Sequence, residues 1–331
     1  MDSLTQIVLG AAVGEAALGR KVGNKAIVYG AIAGTIPDLD IIVGNFFDTV
    51  TALEIHRGFS HSIGFAILLS PILGYVLSKI HSDANFKNWT WMMFWCLFTH
   101  PLLDMFTTWG TQLFWPFEYR LAFKSIFVID PLYTLPFLTC LVLAMRFKKS
   151  HPKRRKINRL GLYVSTFYLL ISLFLKFIGY QKFESALENQ NINYIEMDTR
   201  PSAFNTLLWS ANVKTKSAFL IGEYSFFDSK PISFRRFPKN HEKISHLSQF
   251  ENLERLKDVT KGWYTITKKN ENLYLNDLRF GLISMDTTQT KFAFSYKLVA
   301  TEQGIEIQEE PKTPEDGKKL LKELWMRLKG N

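Results

Sequence analysis

The strongest constraint on this chain is a row of apolar stretches of membrane length that stops near Tyr180. Ser62 to Ile80, Trp89 to Thr108, Phe127 to Phe147 and Leu160 to Gly179 each approach the roughly 20 residues that a helix needs to cross a bilayer core. Leu4 to Leu18 is shorter and rich in small residues, and Ala26 to Val43 is apolar but interrupted by Thr35-Ile36-Pro37-Asp38-Leu39-Asp40. About six membrane segments are therefore expected, forming an α-helical polytopic membrane domain over residues 1–180.

Charge orients such a domain. Arg146, Lys148, Lys149, Lys153, Arg154, Arg155, Lys156 and Arg159 lie between the last two runs with no acid among them. Lys and Arg mark cytoplasmic loops, so this segment is placed inside. It is the densest part of the formal charge of +10, which is thus read as membrane orientation; no nucleic-acid partner is expected. Counting back puts residues 110–125 and 45–61 outside, and residues 79–88 and 20–25 inside, with the N-terminus outside if Leu4–Leu18 crosses. Met1-Asp2-Ser3 lacks a basic leader, so no cleavable signal peptide is expected. Cys96 and Cys140 sit in apolar runs and suggest neither a disulfide framework nor a thiolate metal site.

Against this background the ionisable residues stand out, because charge inside a bilayer is costly and marks function by default. His100 and Asp104 are four apart in an apolar run, on one face of a helix and one turn from each other. Asp38 and Asp40 fall at the outer end of the second run, and His56 and His61 flank the outer loop. All six converge on one side of the membrane. Each has a structural alternative: a buried His–Asp hydrogen bond, a turn at a broken helix end, or interfacial histidines. Their shared location favours a site. If the chain stays extended past Pro37, Asp38 and Asp40 point to the same side. Imidazole and carboxylate donors without thiolate favour Zn²⁺, with Mn²⁺ or Fe²⁺ as alternatives, and six candidates allow one or two ions. A divalent ion there would activate water for hydrolysis. Arg57, with its planar fork, is the expected catalytic clamp on a phosphate or carboxylate, and Gly58 lets the backbone approach closely between His56 and His61. Glu15 reads as a helix end or a contact to a neighbouring helix, with a role in the site as the lesser alternative, and Asp130, before Pro131, as a helix N-terminal carboxylate.

Past Tyr180 the pattern changes to a soluble α+β domain over residues 181–331. Ile192–Met197, Thr206–Lys214, Phe219–Phe227, Ile232–Phe237, Trp263–Thr267, Leu273–Leu275, Lys291–Leu298 and Ile305–Gln308 are short runs rich in aromatic and β-branched residues, bounded by turn formers. Leu247 to Val259 looks helical. A last helix begins with Thr313 as N-cap, Pro314 in the first turn, and Glu315 and Asp316 near the positive end of the dipole.

Three motifs then occur in order: Thr35-Ile36-Pro37-Asp38-Leu39-Asp40, His56-Arg57-Gly58-Phe59-Ser60-His61-Ser62, and His100-Pro101-Leu102-Leu103-Asp104 through Leu113-Phe114-Trp115-Pro116. Together with the opening Met1-Asp2-Ser3-Leu4-Thr5-Gln6 they resemble the YdjM family of integral inner-membrane, metal-dependent hydrolases over roughly the first 125 residues. The resemblance implies metal ligands at Asp38, Asp40, His56, His61, His100 and Asp104. Some relatives carry a His where Gln6 stands here; an amide oxygen can still bind metal or orient a water. The family is similar, more remotely, to zinc-dependent phospholipase C and P1-type nucleases, which implies a phosphoester substrate.

The expectation is a hydrolase of a bacterial-type inner membrane, embedded in bilayer lipid, with its site and C-terminal domain on the extracytoplasmic face and a lipid or lipid-linked phosphoester as substrate. The main rival is a non-catalytic protein with a structural metal and a partner-binding C-terminal domain. An ion or proton pathway is the weaker rival, because the inner halves of the helices carry no matching line of acids or histidines.

Overall fold

Four glycines decide how the chain begins to pack. Helix α1 (Ser3–Val22) runs against α2 (Asn24–Thr35), and a Cβ at Gly10 or Gly14 would collide with the backbone of Gly30 or Ala26, as one at Gly30 or Gly34 would with Gly10 or Gln6. Two small-xxx-small stripes thus let the two backbones touch, the usual means of tight helix contact in lipid. The computed structural model describes residues 1–284, 290–301 and 304–331. The chain divides into two units: Met1–Val43, Ile55–Phe174 and Ala203–Asn205 form one, and Gly44–Glu54, Leu175–Ser202 and Thr206–Asn331 the other.

In the first unit the apolar runs become helices. Beyond α2, Pro37–Leu39 is a 3₁₀ turn that leads into the short α3 (Asp40–Gly44). Then follow α5 (Ile63–Ile80), capped by Ser62, and α6 (Phe86–Asp104), capped by Asn85. Next comes α7 (Pro131–Met145), whose first-turn amides bond to the Asp130 carboxylate as the sequence suggests. The long α8 (Pro152–Asn189) closes the series. Three segments among the described residues are long and apolar enough to cross a membrane: Asn24–Gly44, Ile63–Ile80 and Pro152–Asn189; Pro131–Met145 is a shorter apolar helix. Helix α6 packs against α1, α2 and α5, burying Trp89, Met92, Met93, Cys96 and Leu97.

Two local expectations are corrected. The chain is not extended around Pro37: Ile36 and Asp40 are both right-handed helical, and Asp38 and Asp40 reach opposite nitrogens of the His61 ring, Nε2 and Nδ1. Helix α8 begins at Pro152, so Lys153 to Arg159 form its first turns instead of a loop. Lys and Arg are good helix formers. Arg154 and Asn158 are moreover buried, bonded to the Glu15 carboxylate and to the Ala12 carbonyl. Glu15 is therefore the contact to a neighbouring helix.

The second unit carries two antiparallel four-stranded sheets. The first is β1 (Glu196–Pro201), β2 (Leu208–Lys214), β3 (Ala218–Ser225) and β4 (Phe234–Pro238), in sequential order. The second is β5 (Tyr264–Lys269), β6 (Asn272–Ser284), β7 (Lys291–Thr301) and β8 (Gly304–Glu309). All eight runs seen in the sequence lead into these strands; β6 extends well past Leu275 because register shifts between Asp277 and Ser284 let it bend and keep pairing with β7. Helix α9 (Glu251–Val259) and α4 (Thr49–Ile55) add Leu253, Leu256 and Val50 to a core with Ile266, Leu275 and Tyr296, and Arg255 bonds to Glu54 and Thr51. Helix α10 (Pro314–Leu328) has the expected Thr313 cap, with Asp316 completing a capping box.

Candidate metal centre

Four helix ends of the first unit converge on one point. The N-terminal turns of α1 bring Gln6, the 3₁₀ turn after α2 brings Asp38, the 3₁₀ turn Phe59–His61 before α5 brings His61, and the last two turns of α6 bring His100 and Asp104. Asp38, His61, His100 and Asp104 each offer a ligand atom within 4.8 Å of the others, and His61, His100 and Asp104 are fully buried. His100 Nε2 lies 3.1 Å from His61 Nε2. Asp38 Oδ1 is 3.4 Å from each of these nitrogens, and Asp104 Oδ2 is 3.4 Å from that of His61 and 3.7 Å from that of His100.

The tautomers of the two histidines follow from their other nitrogens. His100 Nδ1 sits 2.6 Å from the Gly34 carbonyl oxygen, which can only accept, so Nδ1 carries the proton. His61 Nδ1 lies 2.9 Å from Ser60 Oγ and 3.5 Å from Asp40 Oδ2; the Ser60 hydroxyl donates to Asp40 Oδ2 at 3.0 Å, so it is free to accept from His61. Both Nε2 atoms are then left with lone pairs directed at one another and at two carboxylates. Four acceptors facing a common centre repel unless a cation lies between them. Ligand atoms of a tetrahedral zinc site with bonds of about 2.0–2.1 Å are about 3.3 Å apart, close to the separations found here. Gln6 Oε1 is buried with no hydrogen-bond partner, and Asp104 Oδ2 is met by an ion-pair contact at 3.1 Å from Arg57 Nε that lacks hydrogen-bond geometry, so both keep acceptor capacity that a cation would use. The donor set and the orphaned atoms fit a divalent ion.

The remaining candidates stand around this group. Asp40 accepts from the Arg57 amide at 2.8 Å and lies 3.1 Å from His56 Nδ1, so Asp40 and His56 form a pair behind His61, beside the four-residue cluster and not within it. Burial holds the His56 pKa below the usual imidazole range, against the pull of the Asp40 carboxylate. Arg57, only 5% exposed, has Nε 3.1 Å from Asp104 Oδ2 and Nη1 donating to Thr107 Oγ1 at 2.9 Å. It holds a left-handed backbone, φ 57°, that a non-glycine residue adopts only when its surroundings fix it. The next residue packs tightly: a Cβ at Gly58 would stand 3.0 Å from the Ile55 carbonyl. Asp104 Oδ1 accepts from Gln6 Nε2 at 2.9 Å and from the Met1 amino group.

Ser60, Thr107 and the Gly34 carbonyl escaped the sequence reading. Ser60 lies inside the His56-to-His61 motif and Thr107 is three residues past Asp104, so spacing alone offered them; the carbonyl has no signal in sequence.

Residues 1–179 match the family model described as YdjM inner membrane protein. A curated relative, the uncharacterized protein YfhP of Bacillus subtilis, is 27% identical over 232 residues, covering 67% of this chain and 68% of the relative. No solved structure matches.

Proposed function

We propose that this chain, which belongs to the YdjM inner membrane protein family, is a membrane-embedded hydrolase whose Asp38, His61, His100 and Asp104 hold a divalent ion, zinc by its donor set. The carrying observation is the pair of imidazole lone pairs that meet at 3.1 Å between two carboxylates. The bound ion supplies Lewis acidity and an activated water. The chain supplies the rest. The Gly34 carbonyl and the Asp40–Ser60 pair hold the Nδ1 protons of His100 and His61, which fixes ring orientation and raises ligand basicity. Arg57 offsets the charge of Asp104 and places a cation beside any anionic group bound at the cluster. Asp40 holds the Nδ1 proton of His56, leaving Nε2 an acceptor at the rim, where His56 is 26% and Asp38 18% exposed. The exposed apolar side chains of Leu39, Ile41, Ile42 and Val43 follow directly on Asp38, so a substrate carried in the bilayer suits this rim best. A lipid or lipid-linked phosphoester, approached from the extracytoplasmic face, is the proposed substrate.

One observation favours the structural reading: three of the four cluster residues are fully buried, as in closed zinc sites. The two readings separate in one experiment. The detergent-purified protein should carry about one equivalent of zinc, lost in His61→Ala and His100→Ala. Hydrolysis of phosphodiester lipids by the wild type, abolished in Asp38→Asn with metal retained, would establish the enzyme. Turnover absent across phosphoester lipids, with metal removal lowering the melting temperature, would establish the structural role. A folded, zinc-supplied protein without bound metal would sink both.

A further inference from the structure

Helix α10 presents two dissimilar faces. Inward, Leu324 is buried, Arg327 clamps Asp228 with two hydrogen bonds of 2.5 and 2.6 Å, Ser225 Oγ donates to the Leu328 carbonyl at 2.7 Å, and Lys291 donates to Asp316 at 2.6 Å. These contacts fix the rotation of the helix. Outward, every residue of the stripe Gly317, Lys318, Leu321, Lys322, Trp325, Met326 and Lys329 is exposed. The stripe follows the three- and four-residue spacing of one helix face. It pairs three large apolar side chains with three lysines, and the one acid on this face, Glu315, stands in the first turn, so the face carries net positive charge. Leu321, Trp325 and Met326 are 54%, 63% and 55% exposed, and Lys329 Nζ stands over the Trp325 ring.

A helix face kept for water alone has no need of Trp, Leu and Met side by side, and the excess of lysine over acid on this face complements a negatively charged surface. Apolar side chains with an indole, interleaved with lysines that extend their ammonium groups outward, suit the boundary between acyl chains and anionic headgroups. The chain carries helices able to cross a bilayer, so such a surface is always within its reach. We propose that the outward face of α10 docks on the surface of an anionic phospholipid bilayer, with Leu321, Trp325 and Met326 entering the headgroup boundary and Lys318, Lys322 and Lys329 paired with lipid phosphates. This docking is independent of the metal cluster and stands whether or not the cluster is catalytic.

The test uses the full chain in lipid nanodiscs, with an environment-sensitive NBD dye on Trp325→Cys in a Cys96→Ala, Cys140→Ala background. The same dye on Glu306→Cys, an exposed position of β8, serves as control. With phosphatidylglycerol in the disc, the dye at position 325 should shift to the blue and brighten, while the dye at 306 stays water-like. Each lysine near an anionic surface contributes about fivefold, so Lys318→Glu/Lys322→Glu/Lys329→Glu should lower the docked-to-undocked ratio by about a hundredfold or more. Discs of phosphatidylcholine alone should give a much weaker signal. A water-like dye at 325 in anionic discs overturns the proposal. So does a blue shift that ignores lipid charge and the lysines but grows with the number of protein copies per disc, because a second copy would then be what covers the face.

Discussion

Removing Glu15 should be among the most damaging single changes away from the metal cluster. Its carboxylate accepts from Arg154 Nε at 2.7 Å and from Nη2 at 2.6 Å, and Nη1 bonds to the Phe147 carbonyl at 3.1 Å. Glu15 is 7% and Arg154 3% exposed, so neither charge can turn to water without moving a helix. In Glu15→Ala the guanidinium keeps one of these three hydrogen bonds, and breaking a buried pair in this way costs roughly 3–5 kcal/mol. Glu15→Gln retains one acceptor but sets an amide donor against a guanidinium donor, for about 2 kcal/mol. Glu15→Met/Arg154→Met, which removes both charges and keeps apolar volume, should recover most of the loss. A Cβ at Gly19 would strike the Glu15 carboxylate from within the same helix, so Gly19→Ala should reproduce much of the defect by displacing an unmutated acid. Reversible unfolding in mixed micelles at increasing dodecyl sulfate fraction measures each variant. A loss below about 1 kcal/mol for Glu15→Ala, or a double variant no better than Glu15→Ala, would refute the view that this pair is desolvated and mutually dependent.

Three further outcomes follow. Gly30→Val should separate α1 from α2, since its Cβ would meet the Gly10 carbonyl; the cost should be roughly 3 kcal/mol in the same unfolding assay, with zinc retention falling as Gly34 is drawn away from His100. Gln6→Leu should weaken metal binding by about 10–100-fold in chelator competition while leaving the fold intact, because Gln6 Nε2 orients Asp104; unchanged affinity would remove Gln6 from the site. Burial raises the Glu223 pKa to about 7, against the pull of Arg327 and Arg200. The folded state therefore holds this proton more tightly than the unfolded chain, and stability falls as pH rises from about 4.5 to 7, by roughly 3 kcal/mol at most. Glu223→Gln should flatten the dependence of the melting temperature on pH across that window, and a slope unchanged from wild type would show that Glu223 does not titrate there.

What the sequence disclosed depended on how local each cause was. The apolar runs, the Thr313 and Asp130 caps and the β-branched, aromatic strand runs are written in neighbouring residues, and the corresponding elements form there. The 3₁₀ turn at Pro37 was hidden because the residue before a proline ordinarily avoids helical geometry, whereas Ile36 keeps it. The start of α8 was hidden because the same lysines and arginines serve as topology signal and as good helix formers; only the distant Glu15 and the Ala12 carbonyl show why Arg154 and Asn158 turn inward. For the cluster, the scarcity of acids and histidines in and beside the apolar runs sufficed to collect Asp38, His61, His100 and Asp104. The division between those four and the Asp40–His56 pair lies in which nitrogen of His61 each carboxylate meets, Nε2 for Asp38 and Nδ1 for Asp40, which no spacing encodes.

The glycine stripes and the cluster chemistry are one arrangement. His100 presents a lone pair at Nε2 only because its Nδ1 proton is spoken for, and the acceptor is a main-chain oxygen at Gly34, in the last turns of α2. That oxygen stands 2.6 Å from the ring because α2 lies against α1 at glycine-to-glycine distance, which also brings Gln6 of α1 to Asp104. A bulkier residue at Gly10, Gly14 or Gly30 would leave all four cluster residues in place in the sequence and still undo the tautomer on which their donor set depends. Helix packing in this unit thus sets the protonation geometry of the site, and substitutions two helical turns from any ligand should report on metal affinity as sensitively as they report on stability.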